Sequence, residues 1–384
     1  MTENVVVLGS GYAGAGAIAK LQSELGGSTR LTWISETDYH LVLHESHRVV
    51  RDPAVRSDIT IPIEEIADPA TRFVHDRVTG LDVDDQVVSL EDSDDVEYDY
   101  VLVALGSQTA FYGIPGLKER ALTLKSLDDA LEIHDAITAA SQDATRGEPA
   151  QIVIGGAGLS GIQIAGEIAE FRDEHRAPIE IHLVEALEEI FPGNDPECQQ
   201  ALRDLLEKAG VRIHTDDPIT EATDDAIEFD ESDSLEYDVL VWTGGITGRD
   251  ALEDADLAKE HNRVNTEANF QTSDERVFAI GDSAIIDQGG QPAPPTAQAA
   301  WQAAEVAGEN IARVIENRPL QTWEHDDKGT VISVGEKAVA HDVKLLPVDT
   351  FGGLPAKNLK KFIAARWVAD LTSWNRARKA WPSL

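Results

Sequence analysis

Short apolar runs alternate with longer segments of helical periodicity over most of the chain. The apolar run at 5–8 precedes a helical pattern near 13–25 and a second apolar run at 31–35. The same plan starts again at 152–154, with a helical pattern at 161–171 and an apolar run at 179–184. Buried strands that alternate with helices predict parallel α/β sheets, and the repetition predicts two such units.

The rest of the pattern completes both units and adds a third segment. A strand pair is predicted at 72–83 and 86–90, and two similar buried strands that end in small-residue turns are predicted at 98–107 and 237–245. Further elements are a helix at 196–209, strands at 211–215 and 272–282, and a helix at 296–316. We therefore expect an α/β fold of two Rossmann-like dinucleotide-binding domains. One spans 1–110 and 246–320, the other spans 111–245, and 321–384 is a C-terminal segment.

Each predicted unit carries a glycine fingerprint between its first strand and first helix. The first reads Gly9-Ser10-Gly11-Tyr12-Ala13-Gly14 and the second reads Gly156-Ala157-Gly158-Leu159-Ser160-Gly161. Such a turn lets backbone N–H groups and a helix N-terminus approach a pyrophosphate. Because the strand–turn–helix context is met twice, we expect two dinucleotide sites rather than two turns without a ligand.

An acidic residue follows each fingerprint at the end of the next strand. Glu36 and Glu185 both lie a little over 20 residues past the last glycine, where a carboxylate can accept hydrogen bonds from ribose hydroxyls. Glu185 would also repel a 2′-phosphate, so we expect NADH rather than NADPH at the second site. The alternative is that both are surface glutamates at strand ends.

Composition narrows the class of protein. The chain has 70 Asp and Glu against 32 Lys and Arg, a net charge of −38, which excludes nucleic acid as a partner. The 42% of hydrophobic residues excludes a disordered acidic chain. Such an excess of carboxylates indicates a halophilic protein of a salt-rich cytoplasm, and we expect loss of structure or activity below about 0.5 M salt.

Cysteine usage and apolar run lengths exclude further classes. The single Cys198 leaves no disulfide framework and no cysteine zinc site. The chain enters a strand by residue 5, so no signal peptide is expected. No run of 18 apolar residues predicts a membrane span.

These motifs together resemble the two-dinucleotide-binding-domain flavoproteins, whose fold is glutathione-reductase-like. The resemblance covers about 320 residues and includes Ala104-Leu105-Gly106, Thr243-Gly244-Gly245 and Val277–Asp282, with Leu105 where the family usually has Thr. It implies that the discontinuous first domain holds FAD and the second holds the nicotinamide cofactor. Asp282 would accept a hydrogen bond from a ribitol hydroxyl, and Gly281 would allow close backbone approach.

The resemblance implies two sets of cofactor-binding residues. The expected FAD contacts are Gly9, Gly11, Tyr12, Ala13, Gly14, Glu36, Val78, Ala104, Gly106, Gly281, Asp282, Thr296 and Ala297. The expected NADH contacts are Gly156, Gly158, Leu159, Ser160, Gly161, Glu185, Gly244 and Gly245.

The segment Ala297–Gln302 reads A-Q-x-A-x-Q, which is similar to the quinone-site motif of type II NADH dehydrogenases (NADH:quinone oxidoreductases). Gln298 and Gln302 are four residues apart on a helix, so their amides share one face and could hydrogen-bond a quinone carbonyl. We therefore expect a quinone as electron acceptor, with menaquinone the first choice. An ordinary alanine-rich helix beside the flavin is the alternative.

The second fingerprint continues into a segment that resembles G-V-E-L-A-G-E-L of the same enzymes. Gln163 stands where the family has its first glutamate, near the flavin–nicotinamide contact, and Glu167 matches the second. An amide can hydrogen-bond but cannot shuttle a proton, so a general-base role at 163 is doubtful in this chain. We count Gln163, Glu167, Gln298 and Gln302 as candidate catalytic residues.

A histidine group near residue 45 has two interpretations. His40, His44 and His47, with Glu45 among them, have spacings that would suit a metal on a helix. We favour a loop or helix beside the flavin, or polar surface, and predict no metal site.

The C-terminal 31 residues differ in charge from the rest of the chain. Residues 354–384 carry seven basic side chains and one acidic one, so this tail is +6 and the remaining chain is −44. Trp367, Trp374 and Trp381 recur every seven residues, which predicts one amphipathic helical stripe with Leu359, Ile363 and Leu371. A basic stripe with tryptophans predicts docking on an anionic membrane surface, as the resemblance also implies. The alternatives are docking on the acidic body of the protein or a homodimer contact.

These observations predict a peripheral, non-proton-pumping, FAD-dependent NADH:quinone oxidoreductase on the cytoplasmic face of the cell membrane. Deleting 357–384 should then release the protein from membranes but spare NADH oxidation by a soluble dye. Two alternatives stay open: a soluble NADH-dependent reductase of a ferredoxin-like carrier, and a non-catalytic NADH-sensing flavoprotein.

Overall fold

The computed structural model describes residues 3–27, 29–344 and 348–384 of the chain. The α-helices are α1 Tyr12–Glu24, α2 His47–Arg51, α3 Arg56–Ile59, α4 Leu117–Arg120, α5 Leu127–Asp143, α6 Leu159–His175, α7 Pro196–Lys208, α8 Ala297–Ile315, α9 Leu354–Leu371 and α10 Trp374–Ala380. Short 3₁₀ turns lie at Leu43–Glu45, Pro53–Val55, Ile63–Glu65, Asp250–Leu252 and Gly281–Ser283.

The strands follow the same alternation along the chain. They are β1 Glu3–Leu8, β2 Thr29–Ser35, β3 Tyr39–Leu41, β4 Thr60–Pro62, β5 Arg72–His75, β6 Val78–Asp82, β7 Val87–Leu90, β8 Val96–Glu97, β9 Tyr100–Val103, β10 Ser107–Thr109, β11 Ala150–Gly155, β12 Ile179–Val184, β13 Val211–His214, β14 Ile219–Ala222, β15 Ala226–Phe229, β16 Leu235–Glu236, β17 Val239–Trp242, β18 Ile246–Gly248, β19 Lys259–Glu260, β20 Arg263–Thr266, β21 Val277–Ala279, β22 Ala284–Ile286, β23 Thr330–Val334, β24 Lys337–His341 and β25 Thr350–Gly352.

The first parallel sheet has the strand order β21-β9-β1-β2-β5. In the register of its centre, Val7 lies between Trp33 on β2 and Leu102 on β9, and all three side chains are fully buried. Helix α1 leaves the end of β1 and packs along α8. The apolar run of β1 has no polar alternation because the sheet is covered on both faces.

The second parallel sheet repeats this plan with the order β13-β12-β11-β17. Helix α6 leaves the end of β11 and packs on β11 and β12. The two chain connections between the sheets run side by side, because β10 pairs antiparallel with β18. This pairing brings the ends of β9 and β17, and therefore both small-residue turns, to the same region of the molecule.

The predicted strand at 72–83 is wrong as one element. It divides into β5, which joins the first parallel sheet, and β6, which pairs with β7 in an antiparallel hairpin. Asp76 causes the break because its carboxylate accepts hydrogen bonds from the backbone N–H groups of Arg77, Asp92 and Ser93. A hydrogen bond from the Ser93 side chain, and then these backbone bonds, lower the pKa of the Asp76 carboxyl. An aspartate that binds neighbouring backbone groups in this way favours a turn over a strand.

The single amphipathic stripe predicted for the tail is also wrong. Ser373 caps a new helix by accepting a hydrogen bond from Arg376 N, so α9 and α10 are separate. Trp367 is 1% exposed and faces the protein, whereas Trp374 is 61% exposed. Leu371 is buried as well, so the tail docks on the body along one face of α9.

Within the ranges 3–27, 29–344 and 348–384, none of the helices has both the length and the apolar character needed to cross a membrane.

Candidate active site

The first glycine fingerprint forms a tight turn that opens α1. Gly9 has φ +100°, and a Cβ there would lie 2.4 Å from the Ala104 carbonyl oxygen. A Cβ at Gly14 would lie 2.0 Å from the Gly9 carbonyl oxygen, so the turn and helix touch. Gly11 is the N-cap of α1, caps no N–H with a side chain and faces open space. The free N–H groups of this helix start are therefore available to a phosphate.

The second fingerprint has the same geometry at the start of α6. Gly156 has φ +90°, and a Cβ at Gly161 would lie 1.9 Å from the Gly156 carbonyl oxygen. Gly158 is the N-cap without a side-chain cap and also faces open space. Leu159 is 37% exposed and Ser160 is exposed at the same helix start. The chain thus has two matching uncapped helix starts of the kind that can bind an anion.

The two glutamates after the fingerprints lie in different surroundings. The Glu36 side chain is 39% exposed and lies 3.4 Å from Arg77 Nε and 3.3 Å from Arg249 Nη2. Glu185 is buried, and its Oε2 accepts a hydrogen bond of 2.8 Å from Ala157 N inside the second fingerprint. The Glu185 carboxylate is therefore fixed beside the second turn, where the sequence predicts a ribose.

Two of the predicted FAD contacts, Gly281 and Ala13, touch each other at the first turn, and Asp282 follows Gly281 in the chain. Gly281 has φ +65°, and a Cβ there would lie 2.9 Å from the Cβ of Ala13 in the first fingerprint. Asp282 Oδ2 accepts a hydrogen bond of 2.9 Å from Ser107 Oγ, directly after Gly106. Val78 is buried at the start of β6.

Sequence reasoning missed Lys125, whose Nζ donates a 3.2 Å hydrogen bond to Ser107 Oγ. Burial lowers the pKa of the Lys125 ammonium, while Asp282 opposes this shift. Lys125 directly precedes the Ser126 cap of α5, and only the fold brings it to Asp282. No pattern in the sequence distinguished it from a surface lysine.

The small-residue turn after β17 lies against the second fingerprint. A Cβ at Gly156 would lie 2.7 Å from Gly244 Cα. Trp242 packs under Gly244, where a Cβ would lie 2.2 Å from its ring. Tyr112 is 69% exposed and covers Gly245, whose added Cβ would lie 1.9 Å from the phenol oxygen. Tyr112 is a second residue of this region that the sequence reasoning missed.

Helix α8 begins as predicted, and its two glutamines share one face. Thr296 caps the helix by accepting a hydrogen bond from Ala299 N, and Ala297 follows it half-buried. Gln302 Nε2 lies 3.4 Å from Gln298 Oε1. Both amides also bind the backbone of residues 326–329, so they fasten the C-terminal segment to α8. A direct hydrogen bond from either amide to a quinone stays a prediction and would compete with this loop.

The other two candidate catalytic residues are buried on α6. Gln163 Nε2 donates to Ser333 Oγ at 3.3 Å. Glu167 is 1% exposed, and its Oε2 lies 3.2 Å from Arg51 Nε. Burial raises the pKa of Glu167 to about 7, although Arg51 opposes the shift. Gly166 allows β23 and β24 to approach α6 closely, since a Cβ there would lie 2.4 Å from Gly335 N.

The histidine group lies between the first fingerprint and the tail, with His40 and His47 buried and His44 half-buried. His40 Nδ1 hydrogen-bonds to Ser10 O, and its Nε2 accepts from Trp367 Nε1 at 2.8 Å. The Tyr12 hydroxyl hydrogen-bonds to His44 Nδ1. Burial lowers the pKa of both His40 and His44 to about 4, so both rings are neutral at pH 7. In the described part of the chain no group of three His, Cys, Asp or Glu side chains is placed to hold a metal.

Polar groups from four segments of the chain meet at one point, which we call the junction cluster; all are buried except the half-buried His44. Its members come from residues 44–47, helix α6, strand β23 and helix α9: His44, Glu45, His47, Glu167, Ser333 and Lys360.

Lys360 is the centre of the junction cluster although it belongs to the basic tail. Its Nζ donates to Ser333 Oγ at 2.9 Å and to His47 Nε2 at 3.2 Å, and it lies 3.3 Å from Glu45 Oε1. Lys360 and the other nearby cations lower the pKa of Glu45 against the effect of burial. Glu45 and Lys360 therefore form a buried ion pair between the first domain and the tail.

Comparisons with known proteins identify the family to which this chain is similar. The sequence profile of the pyridine nucleotide-disulphide oxidoreductase family matches residues 3–304. The type II NADH:quinone oxidoreductase of Staphylococcus saprophyticus is 30% identical over 391 residues, which cover 96% of each chain. The enzyme of the same name from Staphylococcus aureus is 28% identical, over 95% of each chain.

Solved structures share the fold. The Plasmodium falciparum protein NDH2, solved with NADH, has a TM-score of 0.85 at 16% identity and covers 99% of this chain and 97% of its own. A sulfide:quinone oxidoreductase from Aquifex aeolicus has a TM-score of 0.80 at 18% identity, over 97% of this chain and 92% of its own. With the family match and the 30% identical relative, the chain belongs to the type II NADH:quinone oxidoreductases of the pyridine nucleotide-disulphide oxidoreductase family.

Proposed function

We propose that this protein oxidises NADH through a bound FAD and passes two electrons to a quinone. The observation that carries the proposal is the pair of matched, uncapped helix starts at Gly11 and Gly158 in a chain of this family. Two nucleotide sites that meet at one junction are the arrangement that a relay between two cofactors needs. FAD supplies the chemistry that accepts a hydride from NADH and releases electrons to the acceptor.

The residues at the first turn fit FAD. The open space at Gly11 and the free N–H groups of α1 suit its pyrophosphate. Asp282, held by Ser107 and flanked by Lys125, suits its ribitol hydroxyls, and Glu36 suits the adenosine ribose. The start of α8 at Thr296 and Ala297 would direct backbone N–H groups toward the ring system.

The residues at the second turn fit NADH. The helix start of α6 suits the pyrophosphate, and the fixed carboxylate of Glu185 suits a ribose with free hydroxyls. A 2′-phosphate beside a buried carboxylate would suffer charge repulsion, which favours NADH over NADPH. Gly244 and Gly245 allow the Trp242 and Tyr112 rings to pack closely on this turn, and a larger residue at either position would displace a ring beside the proposed cofactor site.

An acceptor comparison tests the function. Purified protein reconstituted with FAD should reduce menaquinone with NADH at tens of turnovers per second, near the middle of the range for enzymes. Turnover with ferredoxin-type carriers but not with quinones would select the soluble reductase instead. Binding of NADH without turnover of any acceptor would select the sensing flavoprotein.

We further propose that the tail docks on the cytoplasmic face of the cell membrane. Helices α9 and α10 leave large apolar side chains exposed: Leu354 at 75%, Phe362 at 49%, Ile363 at 38%, Trp374 at 61% and Trp381 at 38%. Arg378 and Lys379 are exposed beside them. Exposed tryptophan and phenylalanine with basic neighbours are typical of a helix at a lipid interface.

Vesicle binding tests the docking surface. The double substitution Phe362→Ser and Trp374→Ser should weaken co-sedimentation with anionic vesicles at least tenfold, because it removes two exposed aromatic side chains. Leu187→Ser is the matched control, since Leu187 is 56% exposed on the second domain. Equal vesicle binding by both variants would contradict docking through the tail. A dimer that dissociates in the double variant would instead select the homodimer contact.

A further inference from the structure

The overall reaction of the proposed function consumes one proton from water. NADH + H⁺ + quinone gives NAD⁺ + quinol: the hydride supplies two electrons and one proton, and the quinone takes two electrons and two protons. The second proton must therefore enter from solvent. Since Tyr12 and Gln163, which follow the two helix starts, are buried, a proton that passes between them needs a path of groups that can accept and release it.

The junction cluster reaches solvent on the side of the β23–β24 turn. Glu336 is 42% exposed and pairs with Arg51 Nη2 at 2.7 Å and with Lys357. Arg51 in turn contacts Glu167, which is buried one layer further in. The first titratable carboxyl inside the surface is therefore Glu167.

A cavity of about 20 Å³ lies between Glu336 and the junction cluster. Glu167, Ser333 and Lys360 line it together with Glu336 and Lys357. A cavity of this size with polar groups in its wall has room for one water molecule. A water there would bridge the surface carboxylate to the buried groups without opening the fold.

Inside the cavity the groups follow one another at short distances. Glu167 Oε1 lies 4.0 Å from His47 Nε2, a separation that one water or a side-chain rotation closes. His47 Nε2 hydrogen-bonds with Ser333 Oγ at 3.0 Å. Ser333 also contacts Gln163 at 3.3 Å, at the start of α6 beside the second fingerprint.

A second branch continues toward the first fingerprint. Lys360 connects Ser333 to Glu45, and Glu45 Oε1 lies 3.4 Å from His44 Nε2. His44 then reaches the hydroxyl of Tyr12, which is part of the first fingerprint. Both branches end beside the turns proposed to hold the two cofactors.

We propose that the junction cluster is a proton relay. A solvent proton enters at the cavity beside Glu336, is held by Glu167 and passes through Ser333 toward the two turns proposed to hold the cofactors. The inference rests on the proposed function, because only a proton-consuming acceptor requires it. Gln163 can orient a donor but cannot carry the proton, so the titratable groups around it do. Glu167 and Ser333 act here as relay and positioning residues.

The charges around Glu167 suit a group that exchanges a proton near neutral pH. Helix α2 presents Arg51, Arg48 and His47 to it, α9 presents Lys360, and the β23–β24 turn presents Glu336. Burial nevertheless dominates, and the pKa of Glu167 lies at about 7. A carboxyl that titrates near the working pH can both take up and release a proton in each turnover.

The variant Glu167→Gln tests the relay, and Glu174→Gln is its matched control. Glu174 lies two turns along the same helix and contacts the same Arg51 at 3.7 Å, but its side chain is 53% exposed and lies outside the relay. The measured quantity is the menaquinone rate divided by the ferricyanide rate, since ferricyanide accepts electrons without protons. Glu167→Gln should lower this ratio at least tenfold and remove the pH dependence near 7. Glu174→Gln should leave both unchanged.

A second pair of variants keeps the test decisive if Glu167→Gln folds poorly. Ser333→Ala should lower the same ratio, and Ser333→Thr should restore it because the hydroxyl returns. Infrared spectra should show a protonated carboxyl band that titrates near pH 7 in the wild type and is absent from Glu167→Gln.

The outcomes separate the relay from the proposed function. If the wild-type protein reduces menaquinone but Glu167→Gln and Ser333→Ala keep the wild-type ratio, the relay is overturned and the function stands. If the wild type reduces ferricyanide but no quinone, the proposed function fails and the relay with it.

Discussion

At the scale of single residues, Glu185 and Glu167 are two buried carboxylates with different surroundings. Glu185 is fixed by the backbone N–H of Ala157 at the edge of the second turn. Glu167 is enclosed between helices, and desolvation exceeds the effect of Arg51. The sequence identified Glu185 from its spacing to the second fingerprint and Glu167 from its resemblance to a family motif, but the pKa of Glu167 depends on contacts with distant segments such as α2 and α9.

Glu185→Gln should relax the discrimination between the two nicotinamide cofactors. The amide oxygen can still accept from Ala157 N, but the amide nitrogen cannot accept from Leu187 N, so the longer of the two backbone bonds is lost. The charge that binds ribose hydroxyls and repels a 2′-phosphate is lost as well. We expect the KM for NADH to rise about tenfold because one charge-assisted hydrogen bond is lost. The KM for NADPH should fall. Steady-state kinetics with both cofactors measure this. Glu188→Gln, at an exposed position in the same loop, is the control, and an unchanged KM ratio in Glu185→Gln would contradict the assignment.

The pKa of Glu167 also predicts how stability depends on pH. Because the folded-state pKa of about 7 lies above the usual 4.5, the folded protein binds the extra proton between these values. Stability from this group is present below about pH 4.5 and is lost as the pH rises through 7, by about 3 kcal/mol. Glu167→Gln should therefore gain stability relative to the wild type between about pH 5 and pH 8. Denaturant unfolding of both proteins at about pH 5 and pH 8 measures the difference in their free energies of unfolding. A difference that is the same at both pH values would contradict the raised pKa of Glu167.

At the scale of elements, patterns with one local cause were predictable and those with distant causes were not. The strand at 179–184 and the helix at 196–209 match β12 and α7 because their apolar periodicity is a local signal. In the structure Asp195 also caps α7 locally by accepting a hydrogen bond from Glu197 N. The segment 72–83 failed because Asp76 binds backbone groups as far away as Ser93. Lys360 could not be recognised as buried, since its partner Glu45 is 315 residues away.

The arrangement of α9 changes the result expected from truncating the tail. Its buried face contributes Trp367, which contacts Tyr12 with ring centroids 4.7 Å apart, and Lys360, which pairs with Glu45. Deletion of 357–384 should therefore lower the unfolding temperature and release FAD, rather than spare NADH oxidation by a soluble dye as the sequence alone predicts. Removing the partner of a buried charge and a buried indole each costs about 3 kcal/mol or more. Thermal unfolding and flavin fluorescence measure both effects, with the Phe362→Ser and Trp374→Ser variant as the control that keeps the buried face intact.

At the scale of the whole molecule, the charge is divided unevenly between the body and the tail. Residues 1–353 carry −44 and residues 354–384 carry +6. The carboxylates of the body repel one another in the compact state, and this repulsion is screened over about 10 Å at 0.1 M salt and about 3 Å at 1 M. The proposed attraction between the tail and an anionic membrane would be screened over the same distances. Salt therefore acts in opposite directions on folding and on docking.

We accordingly expect two opposite salt profiles in one protein. The thermal unfolding midpoint should rise with KCl, most steeply below about 0.5 M, because self-repulsion of the body is screened. Binding to anionic vesicles should fall over the same range to a plateau that reflects the exposed apolar side chains such as Trp374. The unfolding midpoint measured in KCl and in sucrose distinguishes two effects. Sucrose stabilises a fold only because it is excluded from the protein surface, whereas KCl also screens charge repulsion. Vesicles of neutral lipid should show only the salt-independent part, and this part should be lost in the Phe362→Ser and Trp374→Ser variant.

An unfolding midpoint independent of KCl would contradict the halophilic assignment. Vesicle binding that is abolished by salt would show that charge alone holds the tail, because an apolar contact persists when charges are screened.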